Sequence, residues 1–310
     1  MLQPSPYTGT LGKGPALPLP KGPAPLSLFS ELYAALRRNW PHYLAEAGGL
    51  ALFIIGASLL TIVLEHPNSP LHQWLVAQGA GKLGRRIPLG MGMGLVIVAL
   101  VYNPWGKKSG AHLNPSVTLA FWQLGHMKWP DACWYVVAQA VGSVTAALGL
   151  GLVLGDYYAH MSVHFITTKP GPGGPAVAFA AEFVISFGLM WLLLLALHSA
   201  RLQPVTGWLV GGLLMVYIIV EAPLSGMSLN PFRTLSAAVV AGDYTALWVY
   251  LLAPTAAMCL ATALFQRFYR HPDQPPTSAR PPQYPDLSAG GVRAESLSPE
   301  FPQRGKGGAQ

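Results

Sequence analysis

The chain has 310 residues, 52% of them hydrophobic and only 10% charged, with a formal charge of +7. So few charges exclude an ordinary soluble globular domain. Lys and Arg sit in connections and tails with no aromatic-interleaved basic stripe, so the positive charge does not point to nucleic acid.

In chain order, residues 1–30 are rich in Pro and Gly without a continuous apolar core, which reads as a disordered tail and not a signal peptide. With a short lead-in, this tail is expected to run over 1–41 and the folded body over 42–270. Apolar runs long enough to cross a bilayer follow at 44–64, 132–154, 176–197 and 246–268. Two shorter uncharged runs, 87–102 and 205–220, each lead into a turn signal and also read as crossings, which makes six. From "HPDQPPTSARPPQYP" onward, 271–310 returns to tail composition and is read as a second disordered segment.

Arg37, Arg38, Lys107, Lys108, Lys128, Arg201, Arg267 and Arg270 fall on one side of this layout, and Lys82, Arg85, Arg86 and Lys169 on the other. Eight against four places both termini in the cytoplasm, with a plasma or inner membrane as the default host. Cys133 and Cys259 lie inside apolar helices and read as packing residues. Asp156, His160 and His164 are spaced by four, which puts three potential ligands on one helical face, yet their surroundings have surface-loop composition and no metal is assigned. No Ser-His-Asp order, phosphate-cradling glycine loop or pair of catalytic carboxylates stands out, so neither an enzyme nor a cofactor is expected.

The most informative feature is a phrase written twice. "GAHLNPSVTLAFW" begins at Gly110 and "GMSLNPFRTLSAA" at Gly226, so that Asn230 follows Asn114 by 116 residues. A short uncharged helix with a Gly-xxx-Gly pair precedes each copy, Gly90 with Gly94 and Gly207 with Gly211, spacing that lets two membrane helices approach closely. Each half also opens with an Ala-Glu inside an apolar span, at Glu46 and Glu182. This is an internal duplication. Three crossings separate the copies, so the second half must be inverted in the membrane, the layout of many transport proteins. Each Asn-Pro is followed by only eight to ten helix-forming residues, 116–123 and 232–240, about half a membrane at roughly 1.5 Å per residue. Asn suits the cap of such a half-helix and Pro its first position. A break at that depth survives only when buried in protein or lining a wet path. The two caps are therefore expected to meet at the centre from opposite sides, each offering a side-chain amide.

Over 42–270 the chain resembles the aquaporin, or major intrinsic protein, family. "SGAHLNP" and "SGMSLNP" in inverted halves, the Glu of the first and fourth helices, and the Arg three residues after the second Asn carry the resemblance. It implies an all-α membrane fold of six transmembrane helices and two re-entrant half-helices, a homotetramer in the lipid bilayer, and one pore per subunit. By the same resemblance Asn114 and Asn230, with Pro115 and Pro231, line the pore and donate to passing water or small neutral solute. Glu46 and Glu182 would support the re-entrant loops, Arg233 would stand at the outer selectivity filter, and His112 would face the inner vestibule. An alternative for Arg233 is a partner for Asp243.

The third motif residue, Ala in most of the family, is here Ser116 and Phe232. Phe232 either packs against neighbouring helices or reshapes the lumen. The remaining filter positions fall at Met93, or its neighbour Gly94, and at Ile218 and Met227. Strict water channels place His where this chain has Ile218, so a rim of Met, Ile and Met around one Arg is more apolar and more pliable. Thr234, Ala238 and Tyr250 lean toward the water branch and Leu251 toward the glycerol branch. The expectation is a passive channel for water, with small uncharged solutes, that excludes protons and ions. A glycerol facilitator is the alternative, and a coupled transporter is the rival class, with Glu65 and Glu221 near helix ends as its only further carboxylates near the spans.

Overall fold

The computed structural model describes residues 27–269; residues 1–26 of the tail expected over 1–41, and the whole tail expected over 271–310, lie outside the described residues. All regular elements among these residues are helical. Six helices are long and apolar enough to cross a membrane: α1 (Leu28–Glu65), α3 (Lys82–Tyr102), α6 (Trp129–Leu154), α8 (Gly174–His198), α9 (Thr206–Val220) with the 3-10 turn before it, and α12 (Leu247–Tyr269). Short helices fill the connections: α2 (Pro70–Ala77), α4 (Pro104–Ser109), α7 (Asp156–Ala159) and α10 (Ala222–Ser225). The two half-helices are α5 (Pro115–Gln123) and α11 (Pro231–Ala241), each with Pro at its first position.

One boundary differs from expectation. α1 begins at Leu28, well ahead of residue 42, with Ser27 as its cap accepting from the Ser30 N–H at 3.4 Å. Hydropathy had set the boundary, whereas "LFSELYAALRRNW" is made mostly of good helix formers behind a Ser cap and propagates without needing an apolar span.

The packing repeats in the two halves as the duplication requires. α1 runs along α6 as α8 runs along α12, α5 packs on α12 as α11 packs on α6, and α3 crosses α9 on the axis between the halves. At that crossing a Cβ on Gly94 would stand 2.7 Å from the Gly211 carbonyl oxygen, and one on Gly211 would stand 2.6 Å from that of Gly94. Each glycine therefore lets the other's backbone in, and the same close approach recurs between Gly90 and Met215 and between Gly207 and Tyr102. On one face of the bundle the Arg85 guanidinium pairs with Glu65 at 3.0 Å, and the His66 ring packs on those of Tyr157 and His160 with centroids 4.8 and 4.6 Å away.

Gly142 on α6 faces the carbonyl of Ala47 on α1 so closely that any Cβ would strike backbone, whereas Gly48 has nothing within 4 Å of a built Cβ. Gly142→Ala is expected to destabilise the protein by about 1–3 kcal/mol, as overpacking does. Gly48→Ala should leave it unchanged or slightly more stable, since helical Gly costs roughly 0.5–1 kcal/mol against Ala. Thermal unfolding of the two variants in detergent checks the difference.

Candidate pore site

A helix beginning at membrane depth exposes its first N–H groups, and the sequence supplies acceptors at that point. Asn114 Oδ1 accepts from the Ser116 N–H at 2.9 Å, and Asn230 Oδ1 from those of Phe232 and Arg233 at 3.0 and 3.4 Å. The amide nitrogens point the other way. Asn114 Nδ2 donates to the Leu229 carbonyl at 2.8 Å, and Asn230 Nδ2 donates to the Leu113 carbonyl at 2.7 Å. Each cap thus ties down the loop that precedes the other, and the two half-helices meet cap to cap. A primary amide has two N–H donors, so each Asn retains one beyond this bond.

The loops that enter the caps share a strained backbone. Gly110, Ala111 and Leu113 have φ of 87, 47 and 49°, and Gly226, Met227 and Leu229 have 86, 54 and 59°. Left-handed non-glycine residues cost roughly 1–2 kcal/mol apiece, so something must hold them. Two carboxylates do. Glu46 on α1, fully buried, accepts from the N–H groups of His112 and Leu113 at 3.0 and 2.7 Å and from Gln139 Nε2 at 2.8 Å. Glu182 on α8, equally buried, accepts from the N–H groups of Ser228 and Leu229 at 2.6 and 2.8 Å and from the Ser225 hydroxyl at 2.6 Å. Behind the loops, the hydroxyls of Tyr135 and Tyr250 donate to the carbonyls of Ser109 and Ser225, both at 2.7 Å. Ser109 and Ser225 head the duplicated phrases "SGAHLNP" and "SGMSLNP", and the sequence alone assigns them no role.

Arg233 is half-buried, and its Nη1 donates to Thr168 Oγ1 at 2.8 Å. Thr168 belongs to the connection after α7, not to either repeat, and no motif marks it. Its hydroxyl also meets that of Thr234, which bonds Ser228 Oγ in the second loop. Asp243 pairs with Lys169 and does not take Arg233 as its partner. Met93 and Met227 are buried, and both belong with the half-buried Ile218 to one apolar cluster. Gly94 is occupied by the crossing with α9.

The two departures from the family motif differ in setting. Ser116 is fully buried with its hydroxyl 2.9 Å from Thr255 Oγ1 on α12; Thr255 donates to the Leu251 carbonyl, so Ser116 supplies the hydrogen between them. Phe232 is half-buried. His112 packs on Phe121 and Tyr135 with centroids 4.6 and 5.2 Å away, its Nδ1 3.2 Å from Thr118 Oγ1. His160 turns to His66, while His164 bonds Thr167 at 2.6 Å, and among the described residues no three His, Cys, Asp or Glu converge on a metal position. Glu221 follows the last residue of its span, 5% exposed, with neither oxygen hydrogen-bonded.

Comparison with known proteins agrees with this architecture. Aquaporin NIP3-1 of Zea mays is 39% identical over 170 residues, 54% of this chain and 55% of that protein. Aquaporin NIP1-1 of Arabidopsis thaliana is 35% identical over 185 residues, 59% of this chain and 62% of that one. The chain thus matches between half and two thirds of the length of these curated relatives. The X-ray structure of the aquaglyceroporin from Plasmodium falciparum shares the fold with a TM-score of 0.61 and 19% identity, over 73% of this chain and 95% of that one. The sequence profile described as Major intrinsic protein matches residues 34–265, well over half of the chain, and this chain belongs to the major intrinsic protein family.

Proposed function

We propose that the chain is a passive transmembrane channel for water and small uncharged solutes that excludes protons and ions. The observation that carries this reading is the reciprocal pairing of Asn114 and Asn230 with the opposite loop's carbonyl, which leaves one amide donor on each side of the central plane. Two half-helices meeting there point their positive ends at one another and raise the potential against cations. Donors fixed on both caps orient a passing water by its oxygen, so the proton-relay geometry is broken at the centre.

Solute selection is assigned to a rim of Met93, Ile218, Met227 and Arg233. The commitment of Gly94 to the α9 backbone supports Met93 as the α3 member. Arg233 hydrogen-bonds neutral solutes and repels cations, because a guanidinium is always charged and carries five donors. Its partner Thr168 neutralises none of that charge. Thioether and aliphatic side chains around one Arg give a rim that passes a small polyol or urea along with water. The termini are assigned to the cytoplasm, the host to a plasma or inner membrane, and the assembly to a homotetramer, as the sequence reading and the family suggest.

Arg233→Ala is expected to raise the glycerol-to-water permeability ratio by roughly ten-fold, the weight of one charge-assisted hydrogen bond. Stopped-flow light scattering on reconstituted vesicles measures it, and an unchanged ratio counts against Arg233 as a filter residue. For the loop support, Glu182→Ala strands three donors and should cost about 3 kcal/mol or more in thermal unfolding. Glu182→Gln keeps one acceptor oxygen and should cost less.

At the outer mouth, Lys169 and then Thr245 hold the Asp243 carboxyl well below the usual carboxylate range. A depressed carboxyl stabilises the fold above its ordinary value and loses that contribution as pH falls below about 4. Permeability ratios should therefore be flat from pH 8 down to about 5 as far as this latch is concerned. Asp243→Asn should free the Thr168 connection and shift the ratio at neutral pH; because the pair is partly exposed, its stability effect should stay below about 1 kcal/mol and shrink with salt.

A further inference from the structure

The amino-terminal part of α1 carries a surface that the pore does not use. At about 1.5 Å per residue the 38 residues of α1 span nearly twice the hydrocarbon core of a bilayer. Pro41 interrupts the helix, and the contacts on either side of it show what the first turns do. Beyond Pro41, the Tyr43 hydroxyl donates to Asp131 at 2.7 Å, and its ring packs on those of Trp134 and Tyr135. Before it, Trp129 Nε1 donates to the Glu31 carboxylate at 3.1 Å and Trp134 Nε1 to the Leu32 carbonyl at 3.0 Å. A straight helix would separate Glu31 from Tyr43 by roughly 18 Å along the axis, twice the length of α6 between Trp129 and Tyr135. Instead both touch the same two turns of α6. The arm therefore inclines across the inner end of α6 rather than running on into the cytoplasm.

The outward face of this arm is amphipathic. Phe29, Tyr33, Trp40 and Leu44 are 80, 61, 53 and 61% exposed. Their spacing of four, seven and four places them in a strip about 60° wide. Arg37 lies beside the strip with its guanidinium 6.0 Å from the Tyr33 ring, whereas Arg38 stands roughly 120° further round the helix than the strip's edge and turns to the buried Asp131, 4.0 Å away. Glu31, the one acidic residue between Leu28 and Leu44, turns inward to Trp129. Lys107 and Lys108 on α4, and Lys128 at the start of α6, add positive charge at this end of the bundle. A second copy of this face would bring arginine against arginine, whereas a headgroup layer of opposite charge suits it, and at Leu44 the strip runs on into the apolar span.

We propose that residues 28–44 form an interfacial arm that binds anionic phospholipid. The aromatic strip enters the headgroup–acyl boundary, and Arg37 lies against the phosphates. This rests on the membrane placement of α1 and not on what the pore conducts.

The test uses the full chain with Cys133→Ser and Cys259→Ser, a nitroxide label at Phe29→Cys, and vesicles of phosphatidylglycerol or phosphatidylcholine. In phosphatidylglycerol the label should collide with oxygen more than with a water-soluble nickel chelate. The ratio of inserted to free arm should fall roughly five-fold for Arg37→Gln and by less for Arg38→Gln, whose guanidinium turns to Asp131. Arg37→Gln alone, which removes a residue in no ion pair among the described residues, keeps the experiment readable if Arg38→Gln fails to assemble. A label open to the nickel reagent in phosphatidylglycerol would overturn the proposal. So would spin–spin broadening with shielding from both reagents, the signature of a second copy on this face. Water flux measured on the same vesicles separates the two readings, since an inserted arm on a non-conducting protein sinks the channel alone.

Discussion

A helix that starts halfway through a bilayer strands its first backbone donors where no solvent can take them, and every other feature of this fold follows from meeting that constraint. The protein meets it twice with the same parts. Asn114 and Asn230 accept from their own helices and donate across the midplane, so each half-helix is capped by one side chain that also fastens the facing loop. The N–H groups one and two residues before each Asn go to the carboxyl oxygens of Glu46 and Glu182. Without the carboxylates the N–H groups of Leu113 and Leu229 lose their acceptors, and the left-handed loops keep only the cross-plane asparagine bonds and the local serine bonds.

The symmetry holds for the bonds that fix the loop backbone and fails in the side chains around them. Tyr135 and Tyr250 stand at equivalent places and make equivalent bonds. One turn further along α6, Gln139 bridges Glu46 to Thr118, but the matching position on α12 is Pro254, which offers no side-chain donor. Thr234, the counterpart of Thr118, is satisfied instead by Ser228 and by Thr168 from outside the repeat. That substitution brings the connection after α7 over the second loop and places a neutral acceptor on Arg233. The first loop has no such strap, and its His112 is packed by aromatic rings.

The repeat was legible because its constraint acts locally. Cap, proline and following apolar run must be neighbours in sequence, and the paired glutamates are conspicuous among 310 residues of which 10% are charged. The inverted arrangement, the six crossings and the Gly94 contact with Gly211 all come from that class of signal. Thr168 was not legible. It is one threonine in a Pro- and Gly-rich connection, and only the folded chain brings it within reach of Arg233. The start of α1 was missed for a different reason: hydropathy measures what a bilayer accepts, and the arm ahead of Pro41 is helical without being a span.

The proposed rim places selection away from the centre, where the midplane has no freedom left. Each asparagine there has its oxygen committed to its own helix and one of its hydrogens to the opposite loop, so any replacement that changes size or donor count unfastens both half-helices at once. Ser116 shows how much change that zone tolerates: its hydroxyl turns away to Thr255, and the support geometry is the same in both halves. The proposed rim is under no comparable demand. Met93 and Ile218 have no hydrogen bond to lose through their side chains, and Arg233 bonds a side chain outside the repeats. Residues of that kind can differ between channels with the same framework, and on the proposed reading the identity of the permeant solute is set by groups that the framework does not need.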